Sequence, residues 1–297
     1  MRSQIFALGL GLVIAQGGTA LPVERAANVF FARATVNGRG PFWLTVDTGA
    51  TLTVLDPSTV AALGLVARPS DMRLDVGIGA GATTVAMSDG AVIRVGGLSP
   101  FRPSPLYVIG VRDAEQALGH RIDGVLGHDF LGQHVVEFDY GVGTVTLHPT
   151  GAQRPQTIVS VRVRTGGNRL VVPAQLALSD GGTLDVRLLV DTGSSSGVSL
   201  NTPFAASHRL EARFPSAELS AAVGVNGMTV RAVMHVSGLS VGATDMGVTR
   251  VALSRATTGL SASTEFDGVI GAAVLRRFRV VIDYPRRRMA LDPLPPV

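Results

Sequence analysis

The chain has no cysteine, which excludes disulfides and any thiolate-based metal or redox chemistry. That absence suits an exported protein as well as a cytoplasmic one. Lysine is missing too, so all 26 basic residues are arginine. Only 16% of residues are charged and 5% aromatic, against 46% apolar. A chain of 297 residues with this balance buries a real core and is not disordered. Six arginines crowd the end: Arg276, Arg277, Arg279, Arg286, Arg287 and Arg288. Apolar residues interleave with them in "FRVVIDYPRRRMALD", so they read as a solvated strand face and turn. No nucleic-acid partner is expected. The longest apolar run near the start, Ile5 to Ala15, is shorter than the roughly 20 residues of a bilayer span. It follows Arg2 and precedes small residues at Gly18 and Ala20. Residues 1–20 therefore read as a signal peptide, with a mature chain starting near Leu21, no stable membrane insertion, and a periplasmic or secreted destination.

What the chain does have is 36 glycines and 16 prolines among many Val and Thr residues, the composition of short strands and turns. It also repeats itself. "LTVDTGATLTVLD" begins at Leu44 and "LLVDTGSSSGVSL" at Leu188. Asp47 and Asp191 are 144 residues apart, as are Asp123 and Asp267 of "IDGVLG" and "FDGVIG", and Asp139 and Asp283 of "FDY" and "IDY". A constant offset means two copies of one unit. They divide as an N-terminal lobe, 21–150, and a C-terminal lobe, 151–297, joined by the polar "HPTGAQRPQ" from His148 to Gln156.

Most of each copy reads as strand. One short helix per copy is signalled: Asp56 as N-cap, Pro57 at the first turn and Gly64 as stop, then Asn201 or Thr202 as cap before Pro203. "GVLG" and "GVIG" read as buried strands. Each copy also holds a glycine-rich hairpin candidate, Asp75 to Met87 and Ala222 to Met234, the second with an Asn226-Gly227 turn signal. "GIGAG" lacks the spacing and following helix of a phosphate loop.

A lone Asp before Thr-Gly is commonly a turn former. Two copies change that reading, because a pseudo-two-fold axis brings equivalent positions together. Two carboxylates facing one another cannot both ionise easily, so the pair holds one proton. One member is then a base and the other an acid. A water bound to both is deprotonated while the opposite carboxyl protonates a carbonyl, which is amide hydrolysis without Ser, Cys or metal. The hydroxyls of Thr48 and Thr192 suit tying the loops together, and Gly49 and Gly193 suit close backbone approach.

These motifs resemble the retropepsin- and pepsin-type aspartic proteases, specifically the bacterial retropepsin-like proteins with two fused copies. The two Asp-Thr-Gly loops, the apolar-Gly strands bracing them and the "GIGAG" hairpin occur in that family's order over essentially all of the mature chain. The resemblance implies an all-β, bilobal, pseudo-two-fold acid-protease fold of two barrel-like lobes with one or two short helices each. It implies a catalytic dyad of Asp47 and Asp191 supported by Thr48, Gly49, Thr192 and Gly193. It implies flaps contacting substrate through Val76, Gly77, Ile78 and Gly79, and through Val225, Asn226, Gly227 and Met228. The function so implied is an aspartic endopeptidase acting on a peptide or protein substrate as a monomer without cofactor. Apolar flap residues imply hydrophobic cleavage sites. Neither hairpin has the flap tyrosine of pepsin-like enzymes, so substrate preference does not carry over. "LGHDFL" offers His128 and Asp129 to a metal, but the second copy has Ala-Ala there. Asp129 reads as a turn cap, and no metal is expected. The alternatives are a non-catalytic peptide-binding protein on the same scaffold and a structural β-rich envelope protein.

Overall fold

The computed structural model describes residues 17–71, 85–150, 160–162, 168–224 and 227–295. Its strands form three sheets, one for each lobe and one shared between them. The fold is all-β and bilobal. In the N-lobe, the strands Val29–Val36 and Arg39–Val46 form a hairpin whose residues Phe30, Ala32, Leu44 and Val46 are fully buried in one core, while Phe31 is buried in a second cluster on the other face. The C-lobe repeats this with Val171–Leu178 and Thr183–Asp191, burying Val172, Leu176, Leu188 and Val190. Burial alternates over the outer part of each hairpin, whereas residues 29–32, 44–46 and 188–190 are buried on both faces.

The same threading occurs in both lobes. Strand Gly124–Leu126 lies parallel to Arg39–Val46 on one side and antiparallel to Val54–Leu55 on the other. Strand Gly268–Gly271 lies likewise between Thr183–Asp191 and Val198–Leu200. The chain therefore enters each Asp-Thr-Gly loop on one neighbour of the glycine-bearing strand and leaves it on the other. The repeat is not gapless: Gly124 faces Leu55, whereas Gly268 faces Leu200, 145 residues further on. The second loop carries one extra residue.

The third sheet joins the lobes. Its order runs Thr19–Ala20, Thr144–His148, Val135–Asp139, Phe278–Asp283, Arg288–Pro293, Ser160–Arg162. The two central strands are equivalent by the repeat, and they pair antiparallel with Glu137 opposite Val281, the residue 144 further on. The pseudo-two-fold axis passes through that pair. Thr19–Ala20 adds an edge strand against Thr146 and Leu147, so the expected end of the signal segment falls inside the sheet, and Leu21 follows as a buried residue.

The first helix, Pro57–Leu63, carries its expected boundaries: Asp56 Oδ1 accepts from Ser58 N at 2.9 Å, and Gly64 adopts the left-handed conformation at φ 72°. Burial pushes the Asp56 carboxyl up, but the Ser58 hydroxyl and the Val111 and Ser58 amides outweigh it and hold it below its ordinary value. A group so lowered stabilises the fold above the unfolded value of about 3.9, and that share is lost as pH falls through the folded value. Asp56→Ala is expected to cost about 1–2 kcal/mol at neutral pH, and less in acid, by urea unfolding. The second helix, Thr202–Ser207, has Asn201 at its N-cap without a side-chain cap bond. Asn201 Nδ2 donates instead to the carbonyls of Ser263 and Phe266, at 3.2 and 2.9 Å. Single-turn helices beyond those expected occur at Glu115–Leu118, His128–Leu131, Leu210–Arg213 and Ala272–Leu275. Each lobe thus has three short helices among the described residues.

Three of the six late arginines are tied into the protein. Arg279 Nε donates to Asp139 at 3.0 Å across the inter-lobe sheet, Arg286 pairs with Asp283, and Arg277 donates to the carbonyls of Met246 and Gly247. No helix among the described residues is long and apolar enough to cross a membrane.

Candidate active site

Both Asp-Thr-Gly loops follow strand segments that are buried, residues 44–46 and 188–190, and each is fixed by its glycine-bearing neighbour. Asp47 N donates to Leu126 O at 3.1 Å, and Asp191 is paired in register with Gly271. Behind them, Asp123 and Asp267 clamp the incoming strands. Asp123 is fully buried and accepts from Trp43 N at 2.9 Å, with the Arg112 and Arg121 guanidiniums compensating its charge. Asp267 accepts from Arg187 N at 2.8 Å and from that residue's guanidinium. A buried carboxylate is tolerable only when paired in this way. These clamps were visible in the sequence only as repeat landmarks. Their arginine partners were not legible, because the equivalent pairing uses Arg112 and Arg121 in one lobe and Arg187 in the other.

The two loops meet at the axis. Thr48 Oγ1 donates to Val190 O at 2.6 Å and accepts from Thr192 N at 3.1 Å. Thr192 Oγ1 donates to Val46 O at 2.8 Å and accepts from Thr48 N at 3.1 Å. Each hydroxyl therefore crosses to the other lobe and serves as donor and acceptor at once. Both threonines are buried. Thr48→Val removes one hydroxyl while leaving Val190 O and Thr192 N unpaired. We expect a loss of about 2–4 kcal/mol in urea unfolding, since each stranded buried group costs its desolvation. Thr192→Val should cost the same, and the double variant less than the sum, because both belong to one network.

This brace sets the carboxyls against one another. A methyl group on Gly193 would lie 2.4 Å from Asp47 Cγ, and one on Gly49 would lie 2.8 Å from Asp191 Cγ. Only glycine allows each loop to pass so close to the other lobe's carboxyl. Asp47 Oδ1 accepts from Gly49 N at 2.7 Å and from Ala50 N at 3.2 Å, while Asp191 Oδ1 accepts from Ser194 N at 2.9 Å. Burial raises both pKa values. Asp47 is held back by the Gly49, Ala50 and Gly193 amides. Asp191 stands well above the ordinary value, from burial first and then from the neighbouring charge of Asp47. Both carboxyls are thus raised, and two such close groups titrate as a coupled pair.

The loops are not identical beyond the dyad. In the N-lobe, Asp129 Oδ1 accepts from Thr53 N at 2.8 Å and from Thr53 Oγ1 at 2.6 Å, and Gly127 N donates to Thr53 Oγ1. In the C-lobe, Ser194 Oγ lies 2.7 Å from Ser196 Oγ. Asp129 is thus engaged as a brace at the start of a helical turn. Among the described residues no three His, Asp or Glu side chains gather as a metal site.

Of the flap residues, Val76, Gly77, Ile78 and Gly79 lie outside the described residues, as do Val225 and Asn226. The second hairpin is present as strands Glu218–Gly224 and Gly227–Val241, paired from Glu218↔Val233 to Gly224↔Gly227. Gly224 and Gly227 are the last pair of that register, and the Asn226-Gly227 turn signal falls partly outside the described residues. Met228 takes its place opposite Val223 on the returning strand.

No curated protein matches the chain. An aspartyl protease family model matches residues 32–130, a span that contains the first Asp-Thr-Gly loop, the first helix and the Gly124–Leu126 strand. Over this third of its length the chain is similar to the aspartyl protease family.

Proposed function

We propose that this protein is an aspartic-type endopeptidase in which Asp47 and Asp191 act together on a peptide bond. The observation that carries the proposal is the reciprocal Thr48–Thr192 brace, which ties the two Asp-Thr-Gly loops together so closely that a methyl group on Gly193 or Gly49 would meet the other lobe's carboxyl. With one proton shared by the pair, the ionised carboxyl draws a proton from a bound water as the water attacks the carbonyl carbon, and the protonated carboxyl gives its proton to the carbonyl oxygen. Collapse of the tetrahedral intermediate returns a proton to the leaving nitrogen and restores the pair. The amides of Gly49, Ala50 and Ser194 fix both carboxyls before substrate arrives, so little reorganisation is needed during reaction.

The site takes one carboxyl from each half of one chain, so it is complete in a monomer. Residues 1–20 support export to the periplasm or beyond, with Leu21 as the expected mature terminus. N-terminal sequencing of the exported protein checks that boundary.

Purified protein incubated with casein or a quenched peptide in mild acid should hydrolyse it. A statine-type inhibitor should block the reaction and a chelator should leave it unchanged. Block by the chelator, or no hydrolysis across the acid range, would overturn the proposal. Activity should follow a bell in pH, falling once both carboxyls have lost their protons.

A further inference from the structure

The two lobes differ at one matched pair of positions. In the N-lobe, Ala86 lies opposite Val108, and the residues just beyond them, Val85 and Ile109, are buried in one apolar cluster. In the C-lobe, Ala232 lies opposite Leu253, and the next pair is Arg231 opposite Ser254. Arg231 is half-buried, and its Nε is shielded from solvent without a hydrogen-bond partner. Among the described side chains, every other arginine is exposed or holds a hydrogen bond. No described carboxylate pairs with Arg231, and the nearby Glu218 is held by Arg250. Burial lowers the guanidinium's pKa, and a desolvated charge without a partner costs stability. The N-lobe shows that apolar residues fill the same place, so the cost points to a use.

Register fixes the side of the sheet on which the guanidinium stands. Successive residues of a strand face opposite ways. Val190, Ile270, Leu200, Leu253 and Ala232, one from each of five neighbouring strands, enter the main core. Asp191 follows Val190 and Arg231 precedes Ala232, so both project from the side turned away from that core. Ser220 and Ser254 stand opposite Arg231 on its two neighbouring strands, which puts a hydroxyl on each side of it. Ser254 is buried, and its Oγ accepts from Ala256 N at 3.2 Å, which leaves its own proton to donate. The strand bearing Ser220, Glu218–Gly224, comes within 8 Å of the N-lobe turn Arg112–Ala114, Cα to Cα, so the hairpin reaches from one lobe to the other. A desolvated guanidinium between two hydroxyls is suited to a carboxylate, which it meets with parallel N–H donors.

We propose that Arg231, with Ser254 and Ser220 beside it, is a specificity-determining residue that takes an acidic side chain of the peptide substrate on the C-lobe side of the site. Four strand spacings separate its strand from that of Asp191, about 20 Å along the sheet. The acidic residue therefore lies several positions from the scissile bond. The matched N-lobe position, with Val85 and Ile109, offers no such charge, so the preference acts on one side of the bond alone. The inference rests on the endopeptidase reading of the site.

The test incubates the full chain with an end-blocked mixture of random dodecapeptides at about pH 5.5, above the ordinary glutamate value of about 4.3, and reads the products by mass spectrometry. Aspartate and glutamate should be enriched at one fixed distance from the cleaved bond. On matched peptides with Glu or Gln at that place, kcat/KM should favour Glu about 10–100-fold, the scale of hydrogen bonds to a charged group. In Arg231→Gln the ratio should fall to near one. In Arg231→Glu the enrichment at the same distance should pass to Lys and Arg, which a merely structural role would not produce. No acidic enrichment in the parent, or enrichment that survives in Arg231→Gln, would overturn the inference. So would a preference seen only when the peptides keep a free C-terminus, which would assign the guanidinium to a terminal carboxylate. If no peptide is cleaved, the endopeptidase reading fails on its own, and retention of the same mixture on the immobilised chain still reads the subsite. Peptides with Asp and Glu should then be held over those with Asn and Gln by the parent and not by Arg231→Gln, and equal retention would overturn the inference.

Discussion

Asp47→Asn and Asp191→Asn should each lower peptide hydrolysis on the order of 10²–10⁴-fold and, at neutral pH, each should melt higher than the parent. Both effects come from one arrangement. Asn keeps the size and much of the hydrogen bonding of Asp, so the Gly49, Ala50 and Ser194 amides retain an acceptor. It can neither take the water's proton nor supply one. The stability change follows from the raised pKa values of the pair, caused first by burial. A carboxyl raised above its unfolded value binds its proton more tightly in the fold. Its favourable contribution is complete below the unfolded value of about 3.9 and is lost as pH rises through the folded value. Near neutrality the dyad is therefore a stability cost, and removing one charge relieves it. Melting curves at pH 4 and pH 7 check the sign: the gain should appear at pH 7 and shrink at pH 4. Variants equally destabilised at both values would show that the pair is not charge-strained.

Gly124→Ala and Gly268→Ala should each destabilise the protein by about 3 kcal/mol or more, at the upper end of overpacking. A methyl group on Gly124 would lie 2.3 Å from Val54 O, and one on Gly268 would lie 2.3 Å from Ser199 O. In both cases the obstacle is backbone of the strand leaving the Asp loop. It can move only by shifting that loop, so activity should fall further than stability alone explains. Gly110→Ala is the control. A methyl group there meets nothing within 4 Å, and its cost should stay within about 0.5 kcal/mol. Urea unfolding monitored by Trp43 fluorescence separates the three.

The parts of this fold that were legible in the sequence are those with a local chemical cause. Asp56, Pro57 and Gly64 each act within one turn of the helix they bound, and that helix stands where they place it. The Asp-Thr-Gly loops and the glycine strands were legible because they recur. Asn201 shows the limit of local reasoning: it sits where a cap belongs, yet its amide is spent on carbonyls 62 and 65 residues away. The single-turn helices at Glu115–Leu118, Leu210–Arg213 and Ala272–Leu275 are too short to display a helical period. The inter-lobe sheet pairs strands about 140 residues apart, which no local pattern announces.

The central claim is that one chain builds one hydrolytic site from its two halves. Calorimetric titration of the purified protein with a statine-type transition-state analogue tests it most directly. The account predicts one inhibitor bound per chain, with binding severely weakened in Asp191→Asn as well as in Asp47→Asn. One inhibitor per two chains, or binding untouched by Asp191→Asn, would contradict it.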